Sequence, residues 1–169
     1  PHNFKGLDSR VEVRQIKSTD KFSVTNGYAQ PGLLGVDRIL AASFFYSKHK
    51  EDFCCFDLGT AITASIVKNG ILIGGAIIPG PDRVMKSTST IGRMELPSSI
   101  FLTPFPGNDT RSNINAGLTL MYSGFFDKIL HKYEEKIFVT GGDKRLLPLI
   151  KYDEYFENAD LHEMERNGY

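Results

Sequence analysis

The sequence predicts a mixed α/β fold, and three observations carry that prediction. Phe53 to Ile78 reads as consecutive apolar strands, two of them joined by Asn69-Gly70, a dipeptide suited to a tight hairpin turn. Pro31 to Lys50 and Asp109 to Lys132 carry apolar residues at helical spacing. Lys136 to Gly142, "KIFVTGG", is a short apolar run ending in a glycine pair, the pattern of a buried strand.

Taken in order, "RVEVRQI", Arg10 to Ile16, alternates polar and apolar residues and reads as a half-buried strand. Lys17 to Gly27 is polar and turn-rich, so a loop is expected. The helix from Pro31 begins with a proline suited to a first turn and ends in lysines, which favour a helix C-terminus. Strands follow at Phe53 to Leu58, Ala61 to Lys68 and Ile71 to Ile78, making a three-stranded antiparallel meander. Pro79-Gly80-Pro81 ends it. A helix is expected from Asp82 to about Ile91, then a proline-broken loop from Pro97 to Gly107. Asn108 or Asp109 can cap the long helix, with Ile114, Leu118, Met121 and Phe125 on one stripe. After the "KIFVTGG" strand, Asp143 is read as the cap of a helix over "KRLLPLI", and "YDEYFENADLH" supplies a final edge strand.

Composition bounds the function. The chain has 169 residues, 41% of them hydrophobic, enough to build a core. Twenty basic and twenty acidic residues cancel, so no net field attracts nucleic acid or an anionic membrane, and any phosphate must be bound by local geometry. The apolar runs are short and broken by glycine, which excludes a membrane-spanning helix. Cys54 and Cys55 are adjacent in a strand, where side chains alternate faces and a mutual disulfide would be strained. With no secretory segment in view, a reduced, cytoplasmic protein is expected. The four histidines lack metal-ligand spacing, and no serine or cysteine nucleophile elbow appears.

Asp57 stands among apolar residues, where an unpaired carboxylate is costly to bury. It meets a cation, a donor network or a ligand, or else it caps the Gly59-Thr60 turn. That turn can direct backbone N–H groups at an anion, with the Thr60 hydroxyl as a further donor, or it is an ordinary hairpin turn. Gly74-Gly75 and Gly141-Gly142 follow apolar strands and allow a ligand or a helix to approach the backbone closely. Asp37-Arg38 reads as a surface ion pair or as a general base beside an anion-recognising cation.

As an ordered set, "YAQPGLLGVDR" (Tyr28 to Arg38), "DLGTAIT" (Asp57 to Thr63), "LIGGAIIPG" (Leu72 to Gly80), "NDTR" (Asn108 to Arg111) and "VTGGD" (Val139 to Asp143) resemble the type III pantothenate kinases. The resemblance implies the actin, sugar kinase and Hsp70 superfamily fold of two RNase H-like halves. Residues 1–50 would then be the end of the first half with a linking helix, and residues 51–169 the second RNase H-like domain. It implies transfer of the γ-phosphoryl group of ATP to the hydroxyl of pantothenate, the first step of coenzyme A biosynthesis, with magnesium and with potassium or ammonium as cofactors.

Carried onto this sequence, the resemblance makes Asp37 the base that accepts the hydroxyl proton. Tyr28, Gly35, Val36 and Arg38 line the pantothenate pocket, and Thr110 closes it from a neighbouring subunit, implying a dimer or higher oligomer. Asp57 helps hold the monovalent cation. Gly59 and Thr60 contact ATP phosphates, and Gly141-Gly142 lies on the adenosine side. Two departures stand out. Asp109 occupies a position where the family usually has asparagine, and no D-x-G-N-T motif, the family's first phosphate loop, occurs in the sequence. The chain is therefore expected to be a fragment or one subunit of a split kinase whose partner carries that loop. The competing expectation is a catalytically silent relative with a binding or regulatory role.

Overall fold

A computed structural model describes residues 15–91, 102–133 and 135–157. The first of these segments contains a short strand β1 (Thr25–Asn26), helix α1 (Val36–His49), the strands β2 (Phe53–Leu58), β3 (Ala61–Lys68) and β4 (Ile71–Pro79), and helix α2 (Pro81–Ile91). Helix α3 (Thr110–Leu130), strand β5 (Lys136–Thr140) and strand β6 (Glu154–Phe156) complete the described elements. They form one six-stranded sheet in the order β1-β4-β3-β2-β5-β6. The pairs β2·β3 and β3·β4 are antiparallel, whereas β5 runs parallel to β2 and β6 parallel to β5.

The β3–β4 turn follows from its sequence. Asn69 (φ 50°) and Gly70 (φ 72°) both adopt the left-handed conformation that a two-residue hairpin requires. A Cβ on Gly70 would lie 2.8 Å from the Tyr46 hydroxyl, so glycine also lets the turn pack beneath α1. Further along, Ile66 pairs with Gly74 while Val67 pairs with Leu72, which leaves Ile73 as an extra residue in β4. Such a bulge changes which face the following side chains occupy. Leu72 accordingly joins the α1 side of the sheet, whereas Ala76 and Ile78 pack on the opposite side.

Strand alternation divides the core into two layers. Phe53 and Cys55 face α1, where Ile39, Ala42 and Phe45 meet Val67, Leu72 and Phe138. Phe45 stacks on Phe138 with centroids 4.8 Å apart, and Phe44, Phe53 and Phe156 pack edge-on or tilted around that pair. Each such aromatic contact adds about 0.5–1.5 kcal/mol beyond its burial. On the other side Cys54, Phe56 and Leu58 meet Met85 of α2, Leu118, Tyr122 and Phe126 of α3, and Leu146.

Several local expectations are corrected. The helix expected from Pro31 opens as a separate 3-10 turn, Pro31–Leu33, and α1 begins only after Gly35, whose extended backbone (ψ 133°) interrupts the two. Lys17 to Gly27 is irregular except for β1. On α3, Ile114, Leu118 and Phe125 pack inward, but Met121 is 44% exposed, and the seam runs through the fully buried Tyr122 and Phe126. These two aromatics belong to the core. Lys144–Leu149 is a 3-10 turn with no side-chain cap from Asp143, because that carboxylate binds Arg145. The strand expected at Arg10 to Ile16 lies mostly outside the described residues, as does much of the Pro97 to Gly107 loop.

Among the described residues no helix is long and apolar enough to cross a membrane. Cys54 and Cys55 are both free and buried; burial pushes the Cys54 thiol up to about 12 and raises that of Cys55 as well.

Candidate active site

Buried polar residues gather on the α1 side of the sheet, at the ends of the central strands. Asp57 on β2 pairs in register with Thr63 on β3 and with Thr140 on β5, so their side chains share one face. Ser65 lies two residues along β3 on that same face. Thr63, Ser65 and Thr140 are all buried, and the Thr140 hydroxyl has no hydrogen-bond partner among the described residues.

Arg38 of α1 lies down onto this face. Its Nε donates to Ser65 Oγ at 3.0 Å, its Nη2 to the Ala64 carbonyl at 3.0 Å, and its Nη1 to the Tyr28 hydroxyl. The guanidinium carbon also stands 5.6 Å from the centre of the Tyr28 ring. Gly75 makes this possible: a Cβ there would fall 1.7 Å from the Ala64 carbonyl oxygen and 2.7 Å from Nη2. The close approach foreseen at the Gly74-Gly75 pair is thus that of an arginine. Arg38 is 6% exposed and forms no ion pair among the described residues, which removes the surface Asp37–Arg38 pair as a reading.

Asp37 is exposed in the first turn of α1, where the helix dipole favours a negative charge. Its Oδ1 accepts from the Arg38 backbone N–H at 2.9 Å. A Cβ on Gly35 would lie 2.4 Å from that oxygen, so glycine at the helix cap leaves the carboxylate its room. Val36 is the half-buried first residue of the helix.

Asp57 is half-buried, and no hydrogen bond or ion pair reaches its carboxylate among the described residues. Burial, and then the charge of Asp37, raises its proton affinity above the ordinary carboxylate range. Gly141, at φ 103°, closes behind it: a Cβ there would sit 2.7 Å from Asp57 Oδ1 and 2.4 Å from the Leu58 nitrogen. A cation fits this place. The carboxylate lacks a counter-charge, a buried hydroxyl beside it lacks a partner, and a second carboxylate raises the local negative potential.

Beyond Asp57 the strand ends open onto a pocket of about 640 Å³. Gly59 and Thr60 form one wall, Gly80 and the start of α2 a second, and Gly142 to Arg145 a third. Leu58 O accepts from the Asp143 N–H at 2.8 Å and Thr60 O from the Gly80 N–H at 2.9 Å, which fixes the walls to each other. The Gly59 N–H donates to Ala61 O at 3.2 Å and is therefore engaged within the turn. Gly141 is buried behind the pocket, against Asp57, whereas Gly142 lines it. Arg83, Lys144 and Arg145 supply positive charge, and Asp82 and Asp143 oppose it. Beneath the pocket Tyr122 donates its hydroxyl to Pro79 O at 3.1 Å.

Thr110 stands apart, exposed as the first residue of α3, in the layer across the sheet from α1. Asp109 is the cap of that helix: its Oδ1 accepts from the Ser112 N–H at 2.8 Å, and the Ser112 hydroxyl returns the contact to the Asp109 N–H. These bonds hold its carboxyl below the usual range. The unexpected acid thus has a local structural use.

Sequence reading missed Thr63, Ser65, Thr140 and Arg145. The first two carried a signal, since "TAS" places hydroxyls two apart on an otherwise apolar strand, on the face that Asp57 shares. No cluster of three or more His, Cys, Asp or Glu residues suited to a metal occurs among the described residues, and none of them is therefore assigned magnesium.

A sequence model of the family described as type III pantothenate kinase matches residues 5–132. The chain is 32% identical over 137 residues to a type III pantothenate kinase of Acinetobacter baumannii (strain ACICU), covering 78% of this chain and 54% of that protein. It is 37% identical over 132 residues to one of Hahella chejuensis, covering 74% of this chain and 54% of the other. The chain thus spans about half the length of these curated relatives. In structure it is similar to a conserved protein from Campylobacter jejuni described as belonging to the Baf family of transcriptional activators, with a TM-score of 0.61 and 26% identity over 86% of this chain and 70% of that one. On the extent of the sequence match, the chain belongs to the type III pantothenate kinase family.

Proposed function

We propose that this chain supplies the acceptor-binding and catalytic-base side of a kinase that phosphorylates pantothenate with ATP, the first step of coenzyme A biosynthesis. The observation that carries the reading is the junction of Arg38 with two carboxylates that have no counter-ion among the described residues, Asp37 and Asp57. Arg38 is held rigidly by three acceptors, and Tyr28 completes that wall. A fixed guanidinium edge recognises a carboxylate or polar acceptor group with little loss of side-chain freedom.

Asp37 stands at the exposed margin of this wall, where a substrate hydroxyl can reach it. The hydroxyl oxygen forms the new bond to the γ-phosphorus, the bond to the departing ADP oxygen breaks, and Asp37 takes the hydroxyl proton before releasing it to solvent. Asp57, with the hydroxyls of Thr140 and Thr63 on its face, is the place for potassium or ammonium, whose positive charge would offset the two acids. Gly59, Thr60 and Gly142 line the place for the nucleotide.

The sheet and its flanking helices support an RNase H-like second half over residues 51–169, with residues 1–50 ending the first. In this reading magnesium and the first phosphate loop come from another polypeptide segment, within the same protein or as a second subunit. Thr110 begins the helix on the other layer of the sheet from Arg38, and in this reading it meets the acceptor bound to another copy, in a dimer or larger assembly. The test is phosphorylation of pantothenate by this chain, alone and with co-purifying protein, in potassium and magnesium. Asp37→Asn should abolish turnover and leave the fold intact, and an unchanged turnover number would remove the base.

One observation favours a second reading. The likeness to the protein described as a transcriptional activator extends over most of the chain, and a catalytically silent relative with a regulatory role would keep this fold. Absence of phosphorylation in every combination above, with normal folding, would select it.

A further inference from the structure

Arg145 sits at the mouth of the 640 Å³ pocket, held by two carboxylates in very different settings. With Asp143 it forms a two-pronged pair, Nε to Oδ1 at 2.7 Å and Nη2 to Oδ2 at 2.6 Å. The same Nη2 also donates to Asp82 Oδ1 at 2.9 Å, across to the first turn of α2. The Asp143 side chain is 13% exposed and that of Asp82 79%. Nη1 makes no hydrogen bond among the described residues.

The planar guanidinium has two edges that can each receive a forked oxyanion. Asp143 occupies the Nε–Nη2 edge in a sheltered, bidentate geometry. Asp82 touches only the Nη2 corner of the other edge, from a position open to solvent, where single ion pairs contribute little. The outer edge, Nη1 with Nη2, is therefore held only by a weak, replaceable contact, on a residue that lines the pocket.

We propose that Arg145 is a nucleotide-binding residue anchored on Asp143, and that its outer edge passes from Asp82 to a phosphate of the nucleotide as the nucleotide enters. The proposal rests on the reading of this pocket as the nucleotide site. Asp82 is then a placeholder on the arginine's outer edge, which competes with the ligand for it. A static clasp between α2 and the glycine turn would behave differently, since both of its ends would support binding.

The test is calorimetric titration of the full chain with ADP at low salt, for the parent, Arg145→Ala, Arg145→Lys and Asp82→Asn, with circular dichroism on each. Arg145→Ala should weaken binding about tenfold, the loss of one charge-assisted contact. Arg145→Lys should recover only part of it. Asp82→Asn should tighten binding by up to about fivefold, the value of an exposed pair, and because its side chain is exposed this variant is expected to fold normally. Weaker binding in Asp82→Asn, matching that of Arg145→Ala, would overturn the exchange in favour of a static clasp. A parent that binds while Arg145→Ala binds equally well would overturn the role of Arg145 and leave the pocket reading standing. A folded parent that binds no ADP would overturn both.

Discussion

Arg38 Nε donates to Ser65 Oγ at 3.0 Å, an arginine of the first helix bonded to a serine in the interior of the sheet. Replacing Arg38 by Met keeps the bulk but strands the Ser65 hydroxyl and weakens the satisfaction of the Ala64 carbonyl. Urea unfolding should show a loss of about 1–3 kcal/mol, the cost of buried polar groups left unpaired. Pantothenate binding should be lost with it. A variant as stable as the parent would show that water satisfies these groups.

Gly75 is the companion of that arginine. Gly75→Ala puts a Cβ 1.7 Å from the Ala64 carbonyl oxygen and 2.7 Å from Arg38 Nη2. The strand must shift or the arginine must leave, and a destabilisation of about 1–3 kcal/mol is expected, as in overpacked cores. Pantothenate affinity should fall in the same variant. Gly74→Ala provides the contrast: its Cβ would meet nothing within 4 Å, and its strain comes from φ 145° alone.

Asp57 gives a pH signature. Its folded proton affinity is raised, first by burial and then by Asp37, so the native state holds this proton more tightly than the unfolded chain does. Stability then falls as pH rises from the ordinary carboxylate range through the raised value. Asp57→Asn should therefore unfold at a higher temperature than the parent at neutral pH, with the gap closing in acid. Potassium should raise the parent's midpoint and leave the variant's unchanged. Equal midpoints at all pH values would contradict the unpaired carboxylate.

Tyr122 tests the bond that ties α3 to the end of β4. Tyr122→Phe removes the bond to Pro79 O and should cost about 0.5–1.5 kcal/mol. Burial, and then Asp143, pushes the phenol up to about 12. Its raised value means that the tyrosine's contribution is complete below about 10 and fades as pH rises towards 12. Denaturant melts of both proteins at pH 7 and above pH 10 should show the parent's lead shrinking.

The strands were legible because local chemistry determines them: Asn69-Gly70 can make only a few turns, and each flanking run alternates or stays apolar. The burial of Arg38 was not, since it depends on Ser65 and Gly75, far along the chain, and on a β4 bulge with no sharp sequence mark. On α3 the apolar spacing admits both Met121 and Tyr122 as inward residues. The sheet selects the tyrosine, because Pro79 O is there to receive its hydroxyl. Asp143 looked like a cap from its place before "KRLLPLI", yet Arg145 two residues on offers it a full charge. Asp37, Arg38, Asp57, Gly59 and Thr60 could thus be named from sequence, while Thr63, Ser65, Thr140 and Arg145, and the contacts that hold the site together, could not.

The Cys54-Cys55 dipeptide has one thiol in each layer of the core, both sealed from solvent. Neighbours in sequence, they report on different events. A thiol reagent can reach Cys55 only when α1 lifts from the sheet, and Cys54 only when α2 or α3 does. Single-cysteine variants labelled under native conditions would therefore time the opening of the α1 layer and of the α2–α3 layer separately, with reporters the protein already carries.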